Sequence, residues 1–309
     1  MSQALGFDST RAGRAAIVVT EAVSNMVKHA SGGTLVARAI GRDGALGVEL
    51  LAIDSGPGMR DFAASSADGH STAGSPGTGL GAMRRQADEF DVYTRAGGGT
   101  ILRALVWAAT VPAASDTYEV GALCVPKPGE TVCGDAWGMS LDPRGATFLL
   151  ADGLGHGPDA SRASNLAVDV LSQNRGASPV RILDLAHGKL RPTRGAAVAV
   201  ARHDAATGAI AFAGVGNISA CVIEPTARRA MVSHNGIVGH NIHKSQEFSY
   251  SWPRGSHFIA HTDGVETQWD LGAFPGLLDC HPAIIAAMLF REHARGRDDV
   301  GIVVARNRH

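Results

Sequence analysis

The sequence predicts an α+β fold class with two domains, and three observations support this. The 309 residues are 45% hydrophobic and 18% charged, which is enough apolar material for two cores. The first third mixes helical and hairpin patterns, whereas the rest carries many short strands and two helices. Small residues and a proline fill residues 108–116 between these parts. We therefore expect domains at residues 1–107 and 117–309, joined by a linker at 108–116.

The first domain begins with an amphipathic helix. Apolar residues spaced by three and four positions predict a helix from Thr10 to Ala30, which Ser31-Gly32-Gly33 ends. A stretch of small, polar residues at Asp61–Ser75 predicts a mobile lid. The other expected elements are strands at Thr34–Ile40 and Leu46–Ile53 around a turn at Gly41–Gly44, a helix at Thr78–Phe90, and two strands flanking Gly97–Gly99.

The second domain has strands at short, regular intervals. This pattern, with few helices, is typical of sheets packed on sheets and covered by helices. The expected strands are Tyr118–Val125, Thr147–Ala151, Ala196–Ala201, Ala209–Ala213, Ala220–Ile223, His257–Ala260 and Gly301–Ala305, with helices near Asp159–Gln173 and Pro179–His187.

Charge and composition exclude several classes of function. The net charge is −1, from 28 basic and 29 acidic residues, so we expect neither a nucleic acid nor a membrane as partner. No apolar run reaches the ~18 residues of a membrane span, and the first residues do not resemble a secretory signal. The four cysteines form no Cys-x-x-Cys pair, which argues against structural zinc and favours a reducing compartment. We expect a cytoplasmic protein.

Three motifs in the first domain suggest binding of ATP with magnesium. Glu21 and Asn25 share one helix face, where a carboxylate can act as a base and an amide oxygen can bind magnesium. Asp54 ends an apolar strand, and the following Gly56 and Gly58 let the backbone approach a nucleotide closely. The segment Gly77-Thr78-Gly79-Leu80-Gly81 precedes a helix whose free N–H groups can bind phosphate.

Each motif alone has an ordinary explanation. Glu-x-x-x-Asn is usually a solvated helix face, and Gly-x-Gly-x-Gly also occurs in dinucleotide-binding folds. Here, however, no acidic residue follows at the spacing such folds require. The order of the three motifs over residues 8–107 resembles the GHKL ATPase family, with its Bergerat α/β sandwich, and most closely its RsbT and SpoIIAB type of serine kinase and anti-sigma factor.

The GHKL resemblance implies roles for individual residues. Glu21 would be the general base, Asn25 the magnesium ligand and Asp54 the reader of adenine. Thr100 would also reach the adenine. Family members usually begin with a strand and a longer first helix before the segment that matches Leu5–Phe7. We therefore expect this domain to lack its first strand.

Aspartates at predicted strand ends suggest a second site. Four such carboxylates can converge on two divalent cations, which activate water and clamp a phosphoryl group. Carboxylates and a backbone carbonyl suit magnesium or manganese better than zinc. An Asp-Gly pair alone is more often a turn. Here, however, buried-strand patterns run directly into Asp152-Gly153 and, after two residues, into Asp263-Gly264.

The second set resembles the PPM metal-dependent phosphatases of the SpoIIE and RsbX type, which fold as an α-β-β-α sandwich. The matching stretches are Cys133–Asp135, Ala151–Gly157, Gly214–Asn217, Thr262–Gly264 and Arg297–Val300. The resemblance implies that Asp152 bridges two metals and that Gly153 offers its carbonyl. Asp263 and Asp298 would hold one metal, and Asp135 would act more through water. Asp298 is a better ligand candidate than Asp299.

His156 follows the metal-binding motif and lies between two glycines. It could donate a proton to the phosphate or the leaving oxygen, or it could be a packed residue at a helix start. His261 is better explained as a core residue beside the site.

Together the two resemblances imply a regulator that adds and removes one phosphate. Its partners would be STAS-domain proteins, either anti-sigma factor antagonists or stressosome components, with a sigma factor as a further partner. One alternative is an ATP-binding partner module that transfers no phosphate. Another is a nucleotide-sensing domain that gates the phosphatase. The absence of transducer domains disfavours a gyrase-like or chaperone-like ATPase.

Overall fold

The computed structural model describes residues 3–30, 32–42, 44–60, 79–111, 117–242 and 244–308. The expected lid at 61–75, the site residues Gly77 and Thr78, and most of the expected linker therefore lie outside the described residues. The chain divides into two compact units: Met1–Ser115 with Phe274–Arg291, and Asp116–Ala273 with Glu292–His309. The domain boundaries expected from the sequence stay a prediction.

The first unit is a two-layer sandwich of helices on an antiparallel sheet. Its helices are α1 (Ser9–Ala30) and α2 (Gly79–Gln86). The strands are β1 (Thr34–Arg42), β2 (Ala45–Asp54), β3 (Glu89–Thr94) and β4 (Thr100–Trp107), in the order β1-β2-β4-β3. Buried apolar side chains from both helices meet those of the central strands, including Val18, Met26, Leu50, Met83 and Leu102.

The predicted end of the second helix is wrong. The helix expected through Phe90 ends at Gln86, and Phe90 lies in β3. The reason is that Asp88 already belongs to the sheet edge: its N–H donates to the Leu105 carbonyl at 2.7 Å, and its carboxylate accepts from the Trp107 N–H at 2.8 Å.

The second unit packs one sheet on another, with helices on the outer face of one of them. The first sheet has the order β11-β10-β16-β17-β5, the second has the order β12-β9-β8-β7-β6 with β15 added beside β9, and β13 pairs with β14. The strands are β5 (Tyr118–Val125), β6 (Asp135–Asp142), β7 (Gly145–Gly153), β8 (Ala196–Asp204), β9 (Ala209–Val215), β10 (Ser219–Glu224), β11 (Ala227–Ala230), β12 (Ser233–His234), β13 (Gly236–Ile237), β14 (Asn241–Ile242), β15 (Phe248–Ser251), β16 (His257–His261) and β17 (Val300–Asn307).

Two apolar clusters hold the layers of this unit together. Between the sheets, Phe148, Phe212, Trp252 and Phe258 form an aromatic core with no more than 2% of any side chain exposed. The helices α3 (Pro158–Gln173) and α4 (Pro179–Leu190) cover the second sheet through a separate cluster. The predicted α+β class, with a helix-sheet first domain and a two-sheet second domain, is confirmed.

One helix was not expected from the sequence. Helix α5 spans Pro282–His293, and its residues 282–291 belong to the first unit as part of the segment Phe274–Arg291. Within that unit, the Tyr93 hydroxyl donates to the Pro275 carbonyl at 3.3 Å, and the His281 N–H donates to Asp91 at 2.7 Å. Within the described ranges, no helix has the length and apolar character that a membrane span needs.

Candidate functional sites

The first site brings the helix motif and the glycine motif together in the first unit. A Cβ atom placed on Gly79, the first residue of α2, would lie 2.9 Å from Glu21 Oε2 and 3.5 Å from Asn25 Oδ1. The backbone at Gly79 is therefore close to both polar side chains of α1. Leu80 and Gly81 continue into α2, half-buried and buried respectively.

Asp54 is the last residue of β2 and pairs with Thr100, the first residue of β4. Its Oδ1 accepts from the Gly56 N–H at 2.8 Å and from the Thr100 N–H at 3.2 Å, so the carboxylate has a fixed orientation. Gly58 has a φ of 61°, and a Cβ there would lie 2.0 Å from the Arg95 carbonyl oxygen, which only glycine avoids. A Cβ on Gly56 would lie 2.7 Å from Cβ of Ala30, so this motif packs against the end of α1, the helix that carries Glu21 and Asn25.

The second site is built from both sheets of the second unit. Asp135, which begins β6, is directly opposite Asp152 near the end of β7. Asp263 follows β16, and Asp298 precedes its neighbour β17. A Cβ on Gly301 of β17 would lie 3.0 Å from Asp135 Oδ2, so the strand after Asp298 passes close to Asp135.

Burial and mutual repulsion raise the pKa values of Asp135, Asp152 and Asp263. Burial and then the charges of Asp263 and Asp298 raise the pKa of Asp152. Burial and then Asp298 raise the pKa of Asp263, while burial and then Asp152 raise that of Asp135. Each carboxylate therefore disfavours ionisation of its neighbours, and a cation among them would reverse that effect.

Hydrogen bonds fix two of the aspartates. The Thr262 hydroxyl donates to Asp135 Oδ2 at 2.8 Å, and the Asn217 amide donates to Asp263 Oδ2 at 2.7 Å. In the part of the chain that the structure describes, no three histidine, cysteine, aspartate or glutamate side chains are placed to hold one metal ion. The carboxylates fit magnesium that keeps several waters, because this ion commonly takes only one or two protein carboxylates.

The adjacent residues Asp298 and Asp299 differ in burial and in hydrogen-bond partners. The Asp298 carboxylate accepts from the Asp299 N–H at 2.9 Å and is half-buried. Asp299 is 4% exposed, and its Oδ1 accepts from the Lys127 N–H at 2.8 Å. Its Oδ2 is buried and has no hydrogen-bond partner among the described residues. The preference for Asp298 as the metal ligand stays a prediction.

Gly153 is the last residue of β7, and His156 lies on the loop that follows it. A Cβ on Gly153 would lie 2.0 Å from the Ala160 carbonyl oxygen, so the loop can approach α3 only through a glycine. His156 Nδ1 is 2.6 Å from Glu130 Oε1, an interaction that the sequence did not indicate. His261 is buried, its Nε2 accepts from the Trp269 N–H at 3.1 Å, and burial lowers its pKa to about 4, in agreement with a core residue.

Comparisons with known proteins find two families along the chain. The profile of the family "Stage II sporulation protein E (SpoIIE)" matches residues 142–308, more than half of the chain. The chain belongs to the SpoIIE family. The profile "Histidine kinase-like ATPase domain" matches residues 1–106, so this SpoIIE-family chain also carries an ATPase-like domain at its N-terminal side.

Two relatives from Bacillus subtilis (strain 168) match the two parts of the SpoIIE-family chain. Serine/threonine-protein kinase RsbT is 32% identical over 107 residues, which are 35% of this chain and 80% of RsbT. Phosphoserine phosphatase RsbX is 24% identical over 140 residues, which are 45% of this chain and 70% of RsbX. The predicted pairing of an RsbT-like domain with an RsbX-like phosphatase domain is confirmed.

A solved structure also resembles a large part of this chain. A chain described under "The bacterial stressosome: a modular system that has been adapted to control secondary messenger signaling" superimposes with a TM-score of 0.58. It is 30% identical, and the match covers 62% of this chain and all of that chain.

Proposed function

We propose that this protein is a bacterial signalling regulator that removes phosphate from serine or threonine of a partner protein in a metal-dependent reaction. The observation that carries the proposal is the cluster of Asp135, Asp152, Asp263 and Asp298 at neighbouring strand ends. Partial loss of solvent and mutual repulsion raise the pKa values of the first three carboxyl groups, and a bound cation would offset both effects. The SpoIIE-family fold and the similarity to the phosphoserine phosphatase RsbX support it.

The donor set fits two divalent cations, magnesium or manganese. Asp135, Asp152, Asp263 and Asp298 would hold them, together with the Gly153 carbonyl. Such ions, when bound, supply an activated water and neutralise charge on the phosphoryl oxygens. The residues around the aspartates orient them: Thr262 donates to Asp135, and Asn217 donates to Asp263.

The partner that we propose is a STAS-domain protein, either an anti-sigma factor antagonist or a stressosome component, with a sigma factor as a further partner. Support comes from the similarity to RsbT and RsbX and to a chain described with the stressosome. Phosphate on such a surface adds about two negative charges, which suffices to break or make a protein contact.

A phosphorylated STAS-domain protein tests the phosphatase half. With manganese present, the wild type should release inorganic phosphate from it, and Asp263→Asn should release far less. Exposed Asp169 on α3 supplies the control, because Asp169→Asn changes the same charge away from the cluster. Equal release by all three proteins would contradict the proposal.

The N-terminal domain is proposed to bind ATP with magnesium and to phosphorylate the same class of partner. Glu21 would accept the proton of the attacking hydroxyl, Asn25 would bind magnesium, and Asp54 with Thr100 would contact adenine. The similarity to the serine/threonine-protein kinase RsbT supports this half. Glu21→Gln should abolish transfer of radiolabelled phosphate from ATP but spare ATP binding. A Glu21→Gln protein that transfers at the wild-type rate would leave a partner-binding module as the better interpretation.

A second candidate function is gating of the phosphatase by the nucleotide. The segment Phe274–Arg291 lies in sequence between Asp263 and Asp298 but belongs to the unit that carries the ATP motifs. In that unit Arg291 Nη1 donates to the Asp54 carbonyl oxygen at 2.8 Å. Nucleotide binding beside Asp54 can therefore act on a segment whose two ends lead to metal-binding aspartates. Added ATP should change the rate of phosphate release, and Arg291→Gln should reduce that change; no effect of ATP would exclude gating.

A further inference from the structure

Glu130 and His156 form a pair beside the aspartate cluster. His156 Nδ1 lies 2.6 Å from Glu130 Oε1, and 49% of the histidine side chain and 29% of the glutamate side chain are exposed. Among the described residues, none hydrogen-bonds Nε2 of His156. One ring nitrogen is therefore held by a carboxylate, and the other is available to a substrate.

Each residue of this pair lies on a loop next to a proposed metal-binding aspartate. The loop with His156 follows Asp152, and the loop with Glu130 leads to Asp135. His156 is four residues after Asp152, between Gly155 (φ 90°) and Gly157 (φ 74°), which give the loop a conformation that other residues rarely adopt. Glu130 is five residues before Asp135. The loops are also joined directly, because the Gly153 N–H donates to the Gly134 carbonyl at 3.2 Å.

The position of Glu130 is fixed from two further directions. Its N–H donates to the Lys127 carbonyl at 2.9 Å, and the Lys127 N–H donates to Asp299 at 2.8 Å. This turn is therefore hydrogen-bonded to the segment before β17, which also carries Asp298. A Cβ on Gly157 would lie 3.2 Å from Glu130 Oε2, which places the carboxylate at the start of α3. The positive end of the helix dipole favours a negative charge there.

We propose that Glu130 is a positioning residue that holds His156 with its Nδ1 protonated and its Nε2 directed to the leaving oxygen of a phosphoserine. This inference rests on the proposed phosphatase function. A water molecule attacks phosphorus and loses a proton to solvent. The bond between phosphorus and the seryl oxygen breaks, its electron pair passes to that oxygen, and the oxygen takes the Nε2 proton of the imidazolium. The neutral imidazole keeps its Nδ1 proton on Glu130 and regains the other proton from solvent.

A comparison of two substrates with different leaving groups distinguishes the proposed role of Glu130 from a purely structural one. A seryl oxygen needs a proton as it leaves, whereas p-nitrophenolate leaves without one. Glu130→Gln should therefore lower kcat/KM for a synthetic phosphoserine peptide at least about tenfold, but lower that for p-nitrophenyl phosphate less than about twofold. Glu247→Gln, on an exposed loop residue, should change neither.

A double-mutant cycle and a spectrum complete the test. Because Glu130 acts through His156, Glu130→Gln should cause no further loss of kcat/KM when it is added to His156→Gln. In the wild type, the ¹⁵N chemical shifts of His156 should show a protonated Nδ1. This measurement does not depend on whether any variant folds. Equal losses on both substrates, additive losses, or an unprotonated Nδ1 would overturn the role of Glu130 alone. A wild type that hydrolyses neither substrate with manganese would overturn the phosphatase proposal and this inference with it.

Discussion

Thr262 connects one aspartate of the second site to the strand that follows another. Its hydroxyl accepts from the Gly301 N–H at 2.9 Å and donates to Asp135 Oδ2 at 2.8 Å. The Gly301 carbonyl is a second acceptor at 3.4 Å, so the shorter bond to Asp135 is the stronger of the two. Thr262 is 1% exposed, so water cannot replace either bond. Asp135 is therefore held in one rotamer by a neighbour that carries no charge.

Replacing Thr262 by valine should weaken metal binding as well as stability. Thr262→Val should lower manganese affinity about tenfold, as loss of partners that orient metal ligands commonly does. Thr147→Val is the matched control, because it removes another fully buried threonine hydroxyl, one that accepts from Arg202 at 3.0 Å at the opposite end of β7. Calorimetry should show wild-type manganese affinity for the control. Equal affinities in both variants would contradict a positioning role for Thr262.

Buried His257 should make the second unit sensitive to acid. Its Nε2 accepts from Arg306 Nε at 2.9 Å, and burial, with a smaller effect of the Arg306 charge, lowers the pKa of His257 to about 4. An unfolded histidine titrates near 6.5, so the unfolded state gains a proton first as the pH falls. Neutral, buried His257 therefore contributes to the unfolding free energy in full above about pH 6.5, and this contribution is lost as the pH falls towards 4.

Urea unfolding at two pH values checks this expectation. Between pH 7 and pH 5 the wild type should lose about 2 kcal/mol of unfolding free energy through His257. His257→Gln can still accept the Arg306 bond but cannot titrate, so its loss over this interval should be smaller by that amount. The same loss in both proteins would mean that His257 is protonated equally in the folded and unfolded states.

At the residue scale, the sequence predicted the aspartates better than it predicted their partners. Asp152 and Asp263 were recognisable because each lies at or just after the end of a buried strand and is followed by a glycine that the close backbone requires. Glu130 belongs to no motif, and only the fold brings it to His156, 26 positions further along the chain. Such a contact depends on the pairing of two loops, which residue types alone do not encode.

At the scale of elements, the two loops that carry Asp263 and Asp298 touch through their backbones. A Cβ on Gly264 would lie 1.9 Å from the Asp299 carbonyl oxygen, which is too close for any side chain without movement of the backbone. The tight Asp-Gly turn therefore sets the separation between these aspartates.

Gly264→Ala should separate these loops, at a cost of about 1–3 kcal/mol in unfolding free energy, and weaken manganese binding. Gly188→Ala is the control, since this glycine of α4 has no atom within 4 Å of an added Cβ and alanine favours a helix. The control should be as stable as the wild type or more so. If Gly264→Ala binds manganese as tightly as Gly188→Ala does, the contact does not shape the site.

Helices and strands whose apolar residues recur at a regular spacing were predictable from the sequence. Elements without such a spacing were missed. Helix α1 was predicted within one residue because its apolar stripe is regular. Helix α5 was missed because the run Pro-Ala-Ile-Ile-Ala-Ala-Met-Leu-Phe is apolar on every side and buried from Pro282 to Leu289, so it carries no helical period. The very short strands β12, β13 and β14 were missed because two residues cannot show alternation.

At the scale of the whole molecule, the order of motifs predicted two chemistries but not how the chain is shared between compact units. Each motif set is continuous in sequence, which suggested two consecutive domains. In the structure, Phe274–Arg291 is grouped with the first compact unit through contacts such as that of His281 with Asp91. Long-range contacts of this kind depend on tertiary packing, which a local pattern does not record.

The central claim is that Asp152 belongs to a metal-dependent phosphatase site. The most direct test is manganese-dependent hydrolysis of p-nitrophenyl phosphate by the wild type, Asp152→Asn and the exposed control Asp169→Asn. The account predicts activity in the wild type and the control, and a loss of more than about a hundredfold in Asp152→Asn, since this aspartate would bridge both ions. A folded wild type without manganese-dependent activity, or an Asp152→Asn protein as active as the wild type, would contradict it.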